Sequence, residues 1–316
     1  MIPMPQDSRT IPSQAEEMRQ ALARRIAAQL PTSGEQITAI PGLSLYRRTA
    51  PSACNPSTYG PSLGLFVQGR KRVNLGGTAY LCEPATFLLT SVDVPVVSQI
   101  IEASEAVPLL SLLLRLEIPM VREILGREEF PAAAGPAQGR GIAMGQASPE
   151  LLGACCRLLD LLEVPADIAF LGDLLQREIV YRLLRCPQGE RLRAIATAGE
   201  QSNRIAKAVA WLRTNYAKPL RVEELASVAQ MGVSTLHHHF RSLTAMSPPQ
   251  YQKHLRLYAA RERMLTEGLD AATAAYEVGY ESTSQFSREY RRHFGQSPMR
   301  DVRARQLAGP PETLAD

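Results

Sequence analysis

The spacing of apolar residues changes along the chain, and each change predicts a different element. Over residues 13–30 Met18, Leu22, Ile26 and Leu30 recur every four positions with charges between them, which predicts one helix, ended by Pro31 and Gly34. Between 44 and 116 the apolar residues gather into short β-rich runs: LSLY, LGLFVQ, RVNL, TAYL, TFLL, VPVVSQII and LLSLLLRL. Gly69-Arg70 and Gly76-Gly77 stand where hairpin turns are expected, because glycine reaches the positive φ angles that such turns use. Short strands at this spacing predict a small sandwich or barrel. Residues 131–147, rich in Pro, Gly and Ala, predict a loop. Helical spacing returns with Ser148 as a cap and an apolar face of Leu151, Leu152, Cys155, Leu158, Leu159 and Leu162. That face suits a subunit seam and a plain core equally well. A second helix follows Pro165, from Ile168 to Leu184, and residues 187–202 predict a linker, helical in part.

From 203 to 300 the pattern is helical throughout and repeats with an offset of fifty residues. Val228 maps to Val278, Leu236 to Phe286, Phe240 to Tyr290, Ser247 to Ser297 and Pro248 to Pro298, while Ala229 and Ala245 map to Gly279 and Gly295. Each unit, about 222–243 and 271–294, predicts a helix, a tight turn and a second helix. In the first unit Leu225, Val228 and Ala229 face inward, Met231-Gly232-Val233 turns the chain, and Leu236, Phe240 and Leu243 are buried. Ser234, His237, His238 and Arg241 are left on the outer face, with Thr235 beside them. In the second unit Ala275 and Val278 face inward, Gly279-Tyr280 turns, and Phe286, Tyr290 and Phe294 are buried. Its outer stripe is Ser284, Ser287, Arg288 and Arg291, flanked by Thr283, Gln285 and Arg292. Short polar groups and planar donors reach base edges, and nearby cations meet phosphates. Arg288 and Gln285 suit the first task, and Arg241, Arg291 and Arg292 the second. Residues 249–267 predict a single helix between the units. It would act as a stiff spacer, of the kind that two reading helices about 34 Å apart on successive major grooves require.

Charge sharpens this picture. The net charge is +4 over 316 residues, but residues 200–305 hold 16 Lys+Arg against 10 Asp+Glu, which leaves 19 against 21 for the rest. A basic C-terminal segment beside a near-neutral partner suits a polyanion-binding module joined to another domain. The five cysteines (Cys54, Cys82, Cys155, Cys156 and Cys186) fit no zinc spacing and are read as inert thiols, with redox sensing as the other reading. No uninterrupted apolar stretch is long enough to span a membrane and the N-terminus lacks a secretory pattern, so a cytoplasmic protein is expected.

The stretches LASVAQMGVSTLHHHFRSLTAMSPPQYQKHLRLYAARERML and AAYEVGYESTSQFSREYRRHFGQSP resemble the DNA-binding domain of the AraC/XylS family from about Asn203 to Val302. The second stretch, with G-Y-E-S followed by Q-F-S-R-x-Y-x-x-x-F-G-x-S-P, is the more specific. The segment YGPSLGLFVQGRKRVNLGGTAYL and the following FLLTSVDVPV, within about 37–185, resemble the cupin-like regulatory domain of one branch of that family. The resemblance implies an α+β multidomain chain. Residues 1–190 would form a cupin-like β-barrel with helices that senses a small molecule or mediates dimerisation. A linker at 191–202, an all-α DNA-binding domain with two helix-turn-helix units at 203–305, and a flexible tail at 306–316 would follow. It implies a DNA-binding transcription regulator, with double-stranded promoter DNA and RNA polymerase as partners, a homodimer and a small-molecule effector as possibilities, and no membrane. Two positions depart from the family: Gly232 where a Ser cap is common, and His238 where an arginine is common.

Other readings stay open at this stage. His237, His238 and His239 are consecutive on a helix and point about 100° apart, so they cannot converge on one ion, and no metal or cofactor is expected. His237 and His238 suit a DNA-facing role, His239 packs at the helix edge, and His254 and His293 are read as ordinary surface or linker-helix residues. A metal-free cupin enzyme fused to a DNA-binding domain is one alternative, disfavoured by the absence of histidine before residue 237; a ligand-independent architectural DNA binder is another. Arg70, Lys71 and Arg72 suit a solvated basic turn or anchors for an anionic effector, with effector-binding residues otherwise unassigned.

Overall fold

The computed structural model describes residues 13–130, 139–197 and 199–308. Helix α1 (Gln14–Gln29) opens the chain, with the Ser13 hydroxyl accepting from the Glu16 amide, and it buries Leu22 and Ile26. Two antiparallel sheets follow. The larger runs β1 (Gly34–Ile37), β2 (Leu43–Arg48), β9 (Leu109–Arg115), β4 (Ser62–Gln68), β7 (Thr86–Thr90) and β10 (Ile142–Gln146); the smaller runs β3 (Asn55–Tyr59), β8 (Val94–Glu102), β5 (Arg70–Leu75) and β6 (Thr78–Cys82).

The alternation of side chains divides the larger sheet into two faces. One carries Leu43, Leu45, Leu63, Leu65, Leu89 and Leu114 against α1, α3 (Pro149–Asp160) and α4 (Pro165–Arg185). The other carries Phe66 and Leu88 toward Tyr59, Val73, Val94 and Val96 of the smaller sheet. The leucine face of α3 is therefore core: Leu151, Leu152, Cys155, Leu158 and Leu159 are all buried there. Burial also pushes the Cys155 and Cys156 thiols above the ordinary cysteine range, which makes them poor nucleophiles.

Several elements differ from the pattern read along the chain. Gly76-Gly77 does turn the β5–β6 hairpin, but Gly69 joins strands of different sheets. Its φ is +75°, and a Cβ there would stand 2.7 Å from the Leu109 Cα, so this is a crossing where only glycine fits. Within the expected loop 131–147, residues 142–146 form β10, paired with β7 from Ile142↔Thr90 to Gln146↔Thr86; residues 131–138 lie outside the described ones. Strands β1 and β3 and helix α2 (Ile118–Arg127) lie where no run was singled out. Within the stretch read as a partly helical linker, Glu190–Ala196 form helix α5, which buries Leu192, Ile195 and Ala196 and whose Arg191 donates to Ser202 Oγ and Gly139 O.

Seven helices complete the described chain: α6 (Gln201–Asn215), α7 (Val222–Val228), α8 (Val233–Thr244), α9 (Pro248–Thr266), α10 (Ala271–Glu277), α11 (Thr283–Phe294) and α12 (Pro298–Ala308). Of the expected tail 306–316, α12 takes the first residues and those after 308 lie outside the described ones. No helix among the described residues is long and apolar enough to cross a membrane.

Candidate nucleic-acid interface

Two helix–turn–helix units stand in the all-α part, α7–α8 and α10–α11. Their second helices start fifty residues apart, but their leading helices start 49 apart. Hydrogen bonds fix the correspondence: Met231 N–H donates to Ala226 O as Tyr280 N–H donates to Ala275 O, and Ala229 N–H to Leu225 O as Val278 N–H to Ala274 O. Ala229 thus corresponds to Val278 and Gln230 to Gly279, correcting the pairing of Val228 with Val278 and of Ala229 with Gly279. Leu225 and Ala226 match Ala274 and Ala275, all buried, whereas Val228 is only half-buried. The second unit carries one extra residue in its turn, Glu281, ahead of Ser282, whose hydroxyl caps α11 by accepting from the Gln285 amide. Gly232 is the corresponding N-cap of α8, without a side-chain bond.

The second helix of each unit splits cleanly between faces. Leu236, Phe240 and Leu243 on α8, and Phe286 and Tyr290 on α11, are buried; Phe294 is half-buried. Ser234, Thr235, His238 and Arg241 are exposed and His237 is half-exposed. On α11, Ser284, Gln285, Ser287, Arg288, Arg291 and Arg292 are exposed and Thr283 half-exposed. None of Arg241, Arg288, Arg291 and Arg292 makes a side-chain ion pair among the described residues, so all four cations are uncommitted. His239 turns back to the helix edge, where Gln201 meets its Nε2 at 2.6 Å. Burial, and then the neighbouring His238, hold its pKa below the ordinary histidine value. The spacer helix α9 begins with a reciprocal cap between Ser247 and Gln250 and runs 19 residues, about 28 Å at 1.5 Å per residue.

The β-domain reaches α8 directly. Tyr59, Phe66, Val73, Val94 and Val96 share one continuous core with Leu225, Ala226, Leu236, Phe240, Leu243 and Tyr251. Gly141 N–H donates to Leu243 O at 2.8 Å, and Arg140 Nη1 donates to Arg241 O at 3.0 Å. Arg213 of α6 pairs with Asp93 at 2.6 Å, and the Tyr251 hydroxyl donates to Asp93 O. The second unit instead packs on a separate core of Leu257, Met264, Ala274, Ala275, Val278, Phe286 and Tyr290.

His254 and His293 are not surface residues. His254 is 3% exposed and meets Thr58 Oγ1 of β3 through Nε2 at 3.1 Å. It stacks on Tyr258, with His293 edge-on, while Arg261 lies over the Tyr258 and Phe294 rings. His254 Nδ1, Tyr258 Oη, Arg261 Nη1 and His293 Nε2 are buried without hydrogen-bond partners among the described residues. Burial, with Arg261 adding to it, holds both imidazoles below the ordinary range, His293 at about 4. These residues are legible only in three dimensions, because their partners are Thr58 and one another across two helices. Of the Arg70-Lys71-Arg72 run, Arg70 is paired with Glu83 and Glu102, Arg72 is exposed, and Lys71 lines a hollow inside the β-domain with Tyr46, Tyr59, Phe66 and Leu88. Among the described residues no three His, Cys, Asp or Glu side chains are placed to hold a metal ion.

A β-sandwich regulatory domain fused to two helix–turn–helix units defines a DNA-binding transcription regulator. Residues 39–191 match the family described as AraC-type transcriptional regulator N-terminus, and residues 225–304 match the helix-turn-helix domain family. The chain belongs to the AraC/XylS family of transcription regulators. It is 32% identical over 105 residues to the HTH-type transcriptional activator RhaS of Yersinia pestis (strain Pestoides F), a match spanning 33% of this chain and 38% of that protein. In structure it is similar to apo ToxT from Vibrio cholerae strain SCE256, with a TM-score of 0.54 at 9% identity over 82% of this chain and 96% of that one. It is also similar to ToxT from Vibrio cholerae O395 bound to (E)-4-(8-methylnaphthalen-1-yl)but-3-enoic acid, at 0.54 and 11% over 85% and 98%.

Proposed function

We propose that α8 and α11 each enter a major groove of one promoter site. Ser234, Thr235, His237, His238 and Arg241 contact DNA from the first unit, and Thr283, Ser284, Gln285, Ser287, Arg288, Arg291 and Arg292 from the second. The observation that carries this is the matched outer face: corresponding positions of both helices are polar or cationic, accessible, and backed by a buried aliphatic or aromatic face. The protein acts in the cytoplasm as a regulator and not as an enzyme, and bound at a promoter it alters recruitment of RNA polymerase. The test is genome-wide mapping of bound sites, followed by salt titration on a recovered site. The logarithm of affinity should fall against log salt with a slope of about −0.9 per neutralised phosphate. A flat titration removes the electrostatic half of the reading.

The hollow that Lys71 shares with Tyr46, Tyr59, Phe66 and Leu88 supports an effector with an apolar body and an anionic head. ToxT, of the same fold, has been described with such an acid bound. A ligand there shifts DNA affinity only by its differential affinity for two states of the protein. Homodimerisation is supported by α4 rather than α3, because Val164, Phe170, Leu171 and Leu174 of that stretch are exposed apolar residues.

A further inference from the structure

The C-terminal end of α8 is completed by the β-domain. A helix leaves its last four carbonyls without intrahelical partners. At α8 the chain closes one of them itself, with Ala245 N–H donating to Arg241 O at 2.9 Å. The rest of the described closure comes from residues roughly a hundred positions earlier. Arg140 Nη1 donates to Arg241 O at 3.0 Å and reaches Ser242 O at 3.5 Å, and Gly141 N–H donates to Leu243 O at 2.8 Å. Arg140 also sets a cation at the negative end of the helix dipole.

This contact is anchored in the β-domain. Ser91 N–H donates to Gly141 O at 2.9 Å, so Gly141 passes one backbone link from the start of β10 to α8. A Cβ on Gly141 would stand 2.7 Å from Val92 Cγ1 and 3.0 Å from Val94 Cγ1, so only glycine permits this approach. The β5–β6 turn closes the other side, where a Cβ on Gly76 would stand 2.7 Å from that of Ala245. Helix α11 ends differently: Gly295 N–H closes on Arg291 O at 2.8 Å, and among the described residues no β-domain counterpart of the Arg140–Gly141 pair meets it.

We infer that Arg140, with Gly141, is a positioning residue for DNA recognition, holding α8 at the angle and depth from which it reads its half of the site. The inference rests on α8 being a reading helix. It adds that the Arg140–Gly141 contact sets the contribution of the first half-site and leaves that of the second alone.

The experiment uses the full chain and a recovered site, in a competition assay over every single base-pair substitution. His238→Ala and Arg288→Ala first assign base positions to α8 and α11. Arg140→Ala should then lower discrimination at the α8 positions on the order of five- to tenfold, the size of one ordinary solvent-exposed hydrogen bond, while discrimination at the α11 positions stays within twofold. Arg140→Lys, which keeps the cation, should recover part of the loss. Hydrogen exchange on the same variant should quicken at Ala245 and Met246 but not at Gly295 and Gln296. Equal losses at both half-sites, or none, overturn the inference while leaving the two-helix reading intact. If His238→Ala and Arg288→Ala mark no base positions, that reading fails and takes the inference with it.

Discussion

The two helix–turn–helix units share a plan but not a foundation. In the first, Leu225, Leu236 and Phe240 belong to the same core as Val73, Val94 and Val96 of the β-domain. In the second, Ala274, Phe286 and Tyr290 close a core of their own with α9 and α12, and the β-domain touches this half through Thr58 on His254, Pro56 on Arg261 and Asn55 on Arg305. Duplication thus gives one outer-face helix, α8, bound into the β-domain and one, α11, with a core of its own. A repacking of the β-domain is felt first at α8, and reaches α11 only through the spacer or through a polar seam. Packed cores shift between discrete arrangements rather than yielding smoothly, so the shared core is the natural route for a signal.

The largest effect that tests this contrast comes from paired core deletions. Phe240→Ala and Phe286→Ala each remove a fully buried ring and should each cost about 3–5 kcal/mol. If the cores are distributed as described, Phe240→Ala lowers the melting of the β-domain and first unit together. Phe286→Ala should instead yield an early, separate transition confined to residues beyond α9. Calorimetry with limited proteolysis distinguishes the two, and a single shared transition in both variants would erase the contrast.

Next in size is the loss of a group proposed to contact DNA. Arg288→Ala should cost about 1–3 kcal/mol on the specific site and relax base preference at one position, read by gel shift over substituted sites. An equal loss on every sequence would make Arg288 a phosphate contact. His238→Ala should cost less, since an imidazole ring presents single-point contacts where a guanidinium offers a planar fork of donors.

The seam beneath the second unit responds to acid. His254 faces Thr58, Tyr258, His293 and Arg261, while His293 also feels Lys253; Asp301, the nearby carboxylate, is engaged by Tyr290 and Arg305. His293 is depressed from 6.5 to about 4, so below pH 6.5 the unfolded chain takes up a proton that the folded one refuses. Stability therefore falls as pH falls through that window, by about 1–2 kcal/mol at pH 5 after allowance for the partial exposure of His293. His293→Gln should flatten that dependence in a pH series of thermal melts; an unchanged slope would place the acid response elsewhere.

What periodicity could reveal, it revealed. The apolar stripes of α8 and α11 say which side of each helix is buried. Periodicity does not say against what, and for that reason the union of Phe240 with Val94 and the burial of His254 beneath Thr58 were hidden. Identity misled at the turn: Val228 and Val278 look equivalent, yet the carbonyls of Ala226 and Ala275 show a shift of one residue. Composition misled at 142–146, where Ile-Ala-Met-Gly-Gln extends the larger sheet because Gly145 leaves room for the Phe87 ring, which a Cβ would approach to 2.7 Å. At 190–196 the partly helical linker read from the sequence is a short helix, and what the chain alone does not tell is that Leu192, Ile195 and Ala196 fall on one buried side of it.

The finest test exchanges the two caps. Ala245 and Gly295 end α8 and α11 in the same left-handed conformation, at φ of +63° and +82°. That region costs a residue with a Cβ about 1–2 kcal/mol relative to glycine, part of which glycine returns through the greater freedom of its unfolded chain. Gly295→Ala should destabilise the second unit by about 1 kcal/mol through conformation alone, because nothing stands within 4 Å of the added Cβ. Ala245→Gly relieves the same strain, but it also deletes a methyl group that packs against the β5–β6 turn at Gly76. Its gain should therefore fall short of the loss in the other unit, with a net change near zero. If the two exchanges proved equal and opposite in chemical denaturation, the β-domain would contribute nothing at the α8 cap, and the asymmetry between the units would have to rest on their cores alone.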